Sequence, residues 1–325
     1  MSKCLGCGSV LQNADITKDG YTPNLDNEFC KRCFDITHYN KYVTIDKDND
    51  IYLKKIDLIN KTGDLVILTL DFFNMFDFNS LNLSNPVIIV ITKSDLIPRS
   101  VNYERLLSSI NGKLNIKSKL IVSSEKNYNL DLLMKLVNKY KVSKNVYVVG
   151  LTNAGKSSLI KKVLKNYSSN RSNITVSNLP STTLDFIVEK ASDDLFLIDT
   201  PGLLDDGNII NFLNIDLIKK IVPKKEVNPI IYQVKRPQSF IVEDFLRLDI
   251  FDINNIIFYI SNSLIVRRVY KESDNLLNLK KYHLSILSNQ DLVIKGLGFI
   301  KFKKKCSFDL YLLDGVKFYI RNSIV

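Results

Sequence analysis

The glycine-rich segment at residues 150–157, with sequence G-L-T-N-A-G-K-S, has the spacing of a loop that wraps phosphate groups. A short apolar run at 145–149 precedes it, and a helix-like run at 157–164 follows it. Glycines let backbone amides turn toward phosphate oxygens at the positive end of the helix dipole. We expect Lys156 to reach the β and γ phosphates and the Ser157 hydroxyl to bind magnesium. The other residues expected around the nucleotide here are Gly150, Thr152, Asn153, Ala154, Gly155 and Ser158.

A second apolar run ends in a motif that suits the same chemistry, L-F-L-I-D-T-P-G at residues 195–202. Asp199 at the end of this predicted strand is expected to hold magnesium through water, and the Gly202 amide to touch the γ phosphate. Between the two motifs lies P-S-T-T at 180–183. One of Thr182 and Thr183 is expected to close onto the metal when the γ phosphate is present. The spacing does not choose between them.

Base selection is predicted from T-K-S-D at residues 92–95, which follows an apolar run at 86–91 that is typical of a buried parallel strand. A carboxylate at Asp95 accepts from both the ring N–H and the exocyclic amine of guanine, a pair of donors that adenine lacks. Lys93 is expected to lie against the base, and Thr92 begins the motif. A further segment, L-I-V-S-S-E at 120–125, resembles the element whose backbone contacts the guanine oxygen through Ser123, Ser124 and Glu125. These residues predict GTP and GDP as ligands.

The order of these motifs along the chain is unusual. Ordinary GTPases have the phosphate loop first and the guanine-reading elements last, whereas here residues 92–95 and 123–125 precede 150–157 and 199–202. We therefore expect an α/β fold with a doubly wound, mostly parallel sheet that is circularly permuted: its former termini are joined and the chain is opened after the 199–202 motif. Folded domains tolerate such rearrangement because their termini lie close together at the surface.

Four of the five cysteines follow the pattern C-x2-C-x22-C-x2-C, at Cys4, Cys7, Cys30 and Cys33. Two such pairs on tight turns present four thiolates to a tetrahedral zinc ion. Four protein ligands leave no open position, so the expected zinc is structural. The alternative is two disulfides, which require an oxidising compartment. Residues 1–4 show no export leader and no apolar run is long enough to cross a bilayer, so we expect a cytoplasmic protein without membrane contact.

The positive charge is concentrated toward the end of the chain. The net charge is +11, and residues 216–325 carry 19 Lys and Arg against 11 Asp and Glu. This asymmetry indicates a polyanionic partner, with solubility as the alternative explanation. The same region has short strand-like runs, interleaved aromatic residues and a stretch at 271–287 that is expected to be partly helical. Residues 208–221 are expected to form a helix. We predict a β-rich α+β domain with strands at 230–234, 245–251, 255–260, 291–294, 298–302 and 316–320.

The cysteine pairs, the motif order and a G-L-G at 296–298 together resemble the YqeH family of circularly permuted GTPases. The resemblance implies a zinc finger at 1–48, a GTPase domain at 49–215 and an RNA-binding domain at 216–325. It also implies assembly of the small ribosomal subunit, and thus ribosomal RNA as a partner. Thr92 departs from the usual asparagine of the base-reading motif, and Glu125 stands where a small or basic residue is common. We expect the preference for guanine to survive both changes. We also expect the protein to act as a monomer.

Two positions bear on turnover. Leu203 stands where Ras-like enzymes have the glutamine that orients the attacking water, so slow hydrolysis is expected. Asn153 matches an asparagine that binds potassium in related GTPases, where the ion replaces an arginine finger. Two alternatives remain: a zinc-dependent RNA-binding protein that senses GTP or GDP without turnover, and an ATP-using enzyme. Asp95 argues against the second.

Overall fold

The computed structural model of the 325-residue chain describes residues 2, 4, 10–15, 20–31, 49–75, 78, 81–168, 186–200, 202, 207–270 and 279–325. Within these ranges, no helix is long and apolar enough to cross a membrane. Along the chain, a six-stranded α/β domain is followed by a two-sheet β-sandwich.

The α/β domain is built on a six-stranded sheet with strand order β3-β2-β1-β4-β6-β5. Five strands are parallel, and β5 at one edge runs antiparallel to β6. The predicted mostly parallel sheet is thus confirmed. Its central strands are continuous apolar runs because helices or other layers cover both faces. The strands are β1 Leu65–Asp71, β2 Pro86–Thr92, β3 Asn115–Ile121, β4 Asn145–Gly150, β5 Ile187–Ser192 and β6 Leu195–Asp199.

Helices lie on both faces of this sheet. Helices α3 (Leu130–Tyr140) and α4 (Lys156–Tyr167) bury their apolar sides against one face. Helices α1 (Asn49–Thr62) and α2 (Tyr103–Ser109) lie on the other. The fold is therefore doubly wound, and the motif-bearing turns that follow β1, β2, β4 and β6 all emerge at the carboxyl edge of the sheet, where such folds bind ligands.

The sandwich consists of two antiparallel five-stranded sheets packed face to face around one apolar core. The middle sheet has the order β16-β13-β14-β10-β7, and the outer sheet has the order β11-β8-β9-β15-β12. The middle-sheet strands are β7 Ile230–Val234, β10 Asn254–Ile260, β13 Gln290–Ile294, β14 Gly298–Phe302 and β16 Phe318–Asn322. The outer-sheet strands are β8 Gln238–Val242, β9 Leu246–Ile250, β11 Val266–Val269, β12 Leu279–Ile286 and β15 Cys306–Leu313.

The β-rich prediction for this region fits, but two helical predictions need correction. Within the predicted partly helical stretch 271–287, residues 279–286 form β12, because apolar residues alternate there and pair along the whole length of β15. Residues 271–278 of that stretch lie outside the described residues. The predicted helix at 208–221 is two pieces, a 3-10 helix at Ile209–Phe212 and helix α5 at Ile215–Ile221. Asparagines break it, since Asn208 and Asn214 each accept a backbone N–H at the start of one piece.

The central strands β13 and β14 of the middle sheet are buried on both faces, because the second face of the sheet packs on the α/β domain. Phe299 of β14 is fully buried, and its ring meets that of Phe72 edge-on at 5.5 Å between centroids. Burial of such a ring contributes about 1.5–3 kcal/mol. Backbone and ionic contacts add to this interface: Val227 N donates to Leu96 O at 2.9 Å, and Arg99 pairs with Glu226 at 3.0 Å. The two domains are thus joined by an apolar interface rather than by a linker alone.

Candidate nucleotide-binding site

The phosphate loop runs from the end of β4 into the start of α4, as its sequence predicts. Gly155 adopts a φ of +83°, in the left-handed region that favours glycine. Gly150 has no room for a side chain, because an added Cβ would lie 2.2 Å from Thr69 Oγ1. The Lys156 ammonium donates to the carbonyls of Gly150 and Leu151 at 3.0 and 2.9 Å. The loop therefore curls around the buried lysine amine.

Asp199 and Ser157 meet at the end of β6 beside this loop. Ser157 Oγ donates to Asp199 Oδ2 at 2.7 Å, whereas the buried Oδ1 has no hydrogen-bond partner among the described residues. Burial raises the pKa of the Asp199 carboxyl, while the Ser157 hydroxyl and Lys156 act to lower it. An orphaned carboxylate oxygen next to a phosphate-loop hydroxyl fits the oxygen ligands that magnesium prefers.

The base-reading residues converge at the ends of β2 and β3. Ser123 Oγ donates to Asp95 Oδ1 at 2.5 Å and so orients the carboxylate. Lys93, in a left-handed conformation with φ 58°, forms an ion pair of 2.6 Å with Asp71 at the end of β1. Ser124 and Glu125 lie beside Asp95 on the same cavity. The predicted guanine-reading residues are thus adjacent in space although two separate segments supply them.

Thr92 connects this base side to the phosphate loop. Its hydroxyl oxygen is fully enclosed, 2.7 Å from the Ala154 carbonyl and 3.2 Å from that of Leu70. Gly155 allows this approach, because a Cβ there would lie 3.3 Å from the same hydroxyl. Although threonine replaces the usual asparagine here, its hydroxyl provides a bond of its own to the phosphate loop.

Two cavities meet at the phosphate loop. A base-side cavity of about 390 Å³ is lined by Thr92, Lys93, Asp95, Ser124 and Glu125 together with lysines of α4. A phosphate-side cavity of about 380 Å³ is lined by residues 151–158 and by Asp71. Lys93, Gly155 and Ser158 line both. The arrangement offers a continuous site for a nucleoside polyphosphate, with Thr152 and Asn153 on its phosphate side.

The sandwich supplies one wall of the phosphate-side cavity, which sequence reasoning missed. The wall includes Asn208, Pro223 and the β13–β14 turn with Gly296 and Leu297. The turn is held close: Gly296 N donates to Asn74 Oδ1 at 3.2 Å, and a Cβ on Gly296 would lie 1.8 Å from Asn208 Oδ1. The only sequence signal for this turn is the G-L-G at 296–298, and its contact with the cavity does not follow from the sequence alone.

The segment after β6 joins the two domains. A Cβ on Gly202 would lie 2.7 Å from Thr152 Cγ2, so this glycine lies directly against the phosphate loop. Further along, Gly207 O accepts from Lys317 N at 2.9 Å, and Ile209 N donates to Lys295 O at the same distance. Residues 207–209, which follow the 199–202 motif in the chain, are thus tied into the edge of the sandwich. Thr182, Thr183, Pro201 and Leu203 lie outside the described residues.

Two of the four predicted zinc ligands are described. Cys4 and Cys30 are both buried, and the Cys30 backbone amide donates to Cys4 Sγ at 3.1 Å. This pair belongs to a small apolar cluster with Leu11. Cys7 and Cys33 lie outside the described residues, and no group of three potential ligands occurs in the part of the chain that is described. A buried thiol that accepts a backbone amide suits a zinc-bound thiolate.

The buried Lys156 predicts how nucleotide binding depends on pH. Burial lowers the pKa of Lys156 to about 8. Phosphate oxygens prefer the charged amine, so affinity should be level below pH 8 and fall by up to about tenfold per pH unit above it. The same shift makes the nucleotide-free fold more stable as pH rises above 8. Calorimetric GDP titrations from pH 7 to 9 measure this slope. The Lys156→Met variant should bind GDP weakly and show no such slope. A wild-type affinity for GDP that stays level from pH 7 to 9 would contradict the assignment.

Comparisons with known proteins agree with this geometry. A family model described as 50S ribosome-binding GTPase matches residues 145–280. The chain is 28% identical to the "Uncharacterized protein YqeH" of Bacillus subtilis, over 99% of this chain and 99% of that protein. It is 25% identical to NO-associated protein 1 of Arabidopsis thaliana, over 51% of this chain and 35% of that one. It is 33% identical to the tRNA modification GTPase MnmE of Borreliella burgdorferi, over 47% of this chain and 32% of that one.

The similarity to YqeH extends over both domains, and the family model covers the phosphate loop, the 199–202 motif and the first strands of the sandwich. Together with the phosphate loop on a mostly parallel sheet and the adjacent base-side cavity, these likenesses support a GTPase of the YqeH type.

Proposed function

We propose that this GTPase is circularly permuted, hydrolyses GTP slowly, and acts as a cytoplasmic monomer in assembly of the small ribosomal subunit. In this proposal residues 1–48 form a zinc finger, 49–215 the GTPase domain and 216–325 an RNA-binding domain. The observation that carries the proposal is the phosphate-side cavity, which residues of the phosphate loop and of the sandwich line together. A nucleotide in this cavity would contact the phosphate loop on one side and the basic C-terminal domain on the other.

Support for the permutation comes from the order of the elements in the sheet. Strand β1 lies between β2, which carries the base-reading motif, and β4, which carries the phosphate loop. The chain reaches β2 and β3 before β4, and only residues 141–144 connect α3 to β4. That short connection is where the former termini would be joined. The matched family model begins at residue 145, so the base-reading segments at 92–125 lie ahead of the range it covers.

The chain's own residues divide the work on GTP. Lys156 would neutralise charge on the β and γ phosphates, and the Gly202 amide would detect the γ phosphate. Ser157, with Asp199 behind it and one of Thr182 and Thr183, would hold magnesium, which supplies charge stabilisation at the β and γ oxygens. Catalysis would then depend on positioning and electrostatics rather than on a covalent step.

Potassium should accelerate this GTPase. Leu203 cannot orient water, and Asn153 is exposed beside the phosphate-side cavity with a φ of 63°. We expect turnover of about 10⁻⁴ to 10⁻² per second for the isolated protein, faster in potassium chloride than in sodium chloride at equal ionic strength. Asn153→Ala should remove the difference between the salts. Phosphate release measured in both salts tests this, and equal wild-type rates would exclude Asn153 from the mechanism.

Removing zinc should unfold the N-terminal module while leaving the nucleotide site intact. In this proposal Cys4, Cys7, Cys30 and Cys33 bind about one zinc ion per chain, and the metal provides most of the module's stability. Cys4→Ser should abolish zinc retention, as measured by metal analysis, and make residues 1–48 sensitive to protease. Cys306→Ser, at the remaining cysteine, should retain zinc. A Cys4→Ser protein with full zinc content would contradict the assignment.

Support for a ribosomal partner comes from the basic C-terminal region and from the matched family's description, which names the 50S subunit rather than the small one. A hydrolysis assay with each purified subunit separates these possibilities. We expect small subunits to stimulate GTP hydrolysis and ATP hydrolysis to stay at background. Stimulation of GTP hydrolysis by large subunits alone would show that the large subunit, rather than the small one, is the partner. GTP binding without turnover in any condition would favour the alternative, an RNA-binding protein that senses GTP or GDP.

A further inference from the structure

Charge in the sandwich is unevenly neutralised. Several basic side chains on its outer sheet and edges form ion pairs with carboxylates of the same domain. These pairs are Lys220–Glu243, Arg247–Asp249, Arg267–Asp244, Lys280–Asp314, Lys281–Asp309 and Arg321–Asp291. Such pairs leave little net field for a polyanion, so the surplus positive charge must lie elsewhere in the domain.

Five of the remaining basic residues lie at one end of the sandwich, which we call the basic end and define by Lys235, Arg236, Lys303, Lys304 and Lys305. All five side chains are exposed, and none has an ion pair among the described residues. They come from two turns, the β7–β8 turn and the β14–β15 turn.

The strand register brings these two turns together. Val234, the last residue of β7, pairs with Asn254 at the start of β10. The Asn254 side chain donates to Lys304 O at 2.8 Å, and Lys303 N donates to the neighbouring Asn255 O at 3.0 Å. Because Asn254 pairs with the residue that precedes the first turn and is hydrogen-bonded to the second turn, the five basic residues lie at the same end of the sandwich rather than at opposite ends.

An aromatic ring is stacked with guanidinium groups at this end. Tyr270 is 52% exposed, and the guanidinium carbons of Arg236 and Arg268 lie 4.6 and 5.0 Å from its ring centroid. Arg268 is held in place by the Gln233 carbonyl at 3.1 Å. Phe251, which follows β9 at the same end, is 41% exposed. Exposed planar groups beside unpaired positive charge are what unstacked bases and their phosphates require.

We propose that the basic end, together with Tyr270, is a binding site for single-stranded RNA. Phosphates would contact the lysines, while a base would stack on the Arg236–Tyr270 pair. A duplex keeps its bases stacked inside and cannot use an exposed ring, so single strands should be preferred. An acidic peptide would satisfy the charges but not the stacked planes. The site rests on the RNA-binding role proposed above and specifies where and how that RNA binds.

Strand β14 connects this site to the nucleotide. Its first residue, Gly298, follows the turn that walls the phosphate-side cavity, and Lys303 follows its last residue, Phe302. Five residues of strand span about 16 Å. RNA at the basic end and nucleotide in the cavity would therefore contact opposite ends of one fully buried strand.

Binding of fluorescent single-stranded and duplex RNA oligonucleotides to the full-length protein tests the site. Arg236→Ala and Tyr270→Leu should each weaken single-strand binding by about 5- to 50-fold. Arg267→Ala removes one exposed, ion-paired charge nearby and should change it less than about threefold. Tyr270→Phe keeps the ring and should bind like wild type. Changing Lys303, Lys304 and Lys305 to alanine should lower the salt dependence by up to about 2 in the slope of log affinity against log salt.

The outcomes separate the two levels of the proposal. Wild-type protein that binds no RNA would remove the proposed RNA-binding function and this site with it. RNA binding that Arg236→Ala and Arg267→Ala weaken equally, or that Tyr270→Leu leaves unchanged, would overturn the site alone. Unchanged GDP affinity and melting temperature show that a variant is folded. If Arg236→Ala fails that control, the comparison of Tyr270→Leu with Tyr270→Phe still decides the matter.

Discussion

Replacing Asp95 with asparagine should transfer the base preference of this GTPase from guanine to xanthine. The Asp95 carboxylate accepts from two guanine donors, each a charge-assisted bond of about 1.5–3 kcal/mol. In the variant, an amide N–H₂ faces the exocyclic amine of guanine, so GTP affinity should fall at least about 100-fold. Xanthine has a carbonyl at that position, which accepts from the new amide. The affinities of wild type and variant for GDP and for xanthosine diphosphate, measured side by side, report the change in base preference directly.

Glu125→Gln is the matched control for this exchange. Glu125 lines the same cavity and is exposed, so its replacement removes the same charge without touching the predicted base contact. It should leave both affinities close to wild type. Ser123→Ala should weaken GDP binding modestly, because the Ser123 hydroxyl orients Asp95 at 2.5 Å. If Asp95→Asn loses GDP without gaining the xanthine nucleotide, guanine recognition by Asp95 is wrong and an ATP-using enzyme returns as an alternative.

Asp199→Asn should lower magnesium affinity and GTP hydrolysis by about 10- to 100-fold while leaving the fold intact. The change keeps the size of the side chain and an oxygen to accept from Ser157, but it removes the negative charge from the position expected to hold the metal's water. GDP binding in the presence of chelator should change little, since Asp199 is not expected to contact the phosphates. Magnesium titrations of the GTP-bound protein and single-turnover hydrolysis provide the two readouts.

Asp193→Asn controls for the loss of a carboxylate in the same β5–β6 hairpin. Asp193 is exposed and pairs only with Lys190 at 2.7 Å among the described residues, so its replacement should leave both readouts unchanged. Magnesium dependence that is identical in wild type and Asp199→Asn would show that the metal is held elsewhere. In that case, the buried Asp199 Oδ1, which has no hydrogen-bond partner among the described residues, would have to bind a ligand other than magnesium.

Much of the α/β domain follows from local sequence. The strands before Asp95, Lys156 and Asp199 are short apolar runs bounded by polar turns, and the phosphate loop fixes a strand on one side and a helix on the other. Because parallel strands present their carboxyl ends at one edge, these motifs had to meet once the sheet formed. Adjacency of the base-side and phosphate-side residues was therefore predictable from the spacing.

The rest depended on tertiary contacts that no local pattern specifies. The cavity wall at Gly296 and Asn208 arises from docking of the sandwich, and its decisive feature is the absence of a side chain on Gly296. The bond from Thr92 to the phosphate loop could not be predicted, because the hydroxyl's partner, the Ala154 carbonyl, lies 62 positions away in the chain. Strand β12 was read in part as helix because its pairing with β15, rather than its propensity, decides its conformation.

Co-sedimentation with purified ribosomal subunits at moderate salt tests the central claim most directly, comparing a non-hydrolysable GTP analogue, GDP and the matching ATP analogue. The shared cavity wall and the attachment of the post-β6 segment to the sandwich predict that small subunits retain the protein only with the GTP analogue. That result would fix base choice, partner and switch direction together. Equal binding in all nucleotide states would contradict coupling between the cavity and the basic domain. Absence of binding, with nucleotide affinity intact, would leave the GTPase and remove its proposed partner.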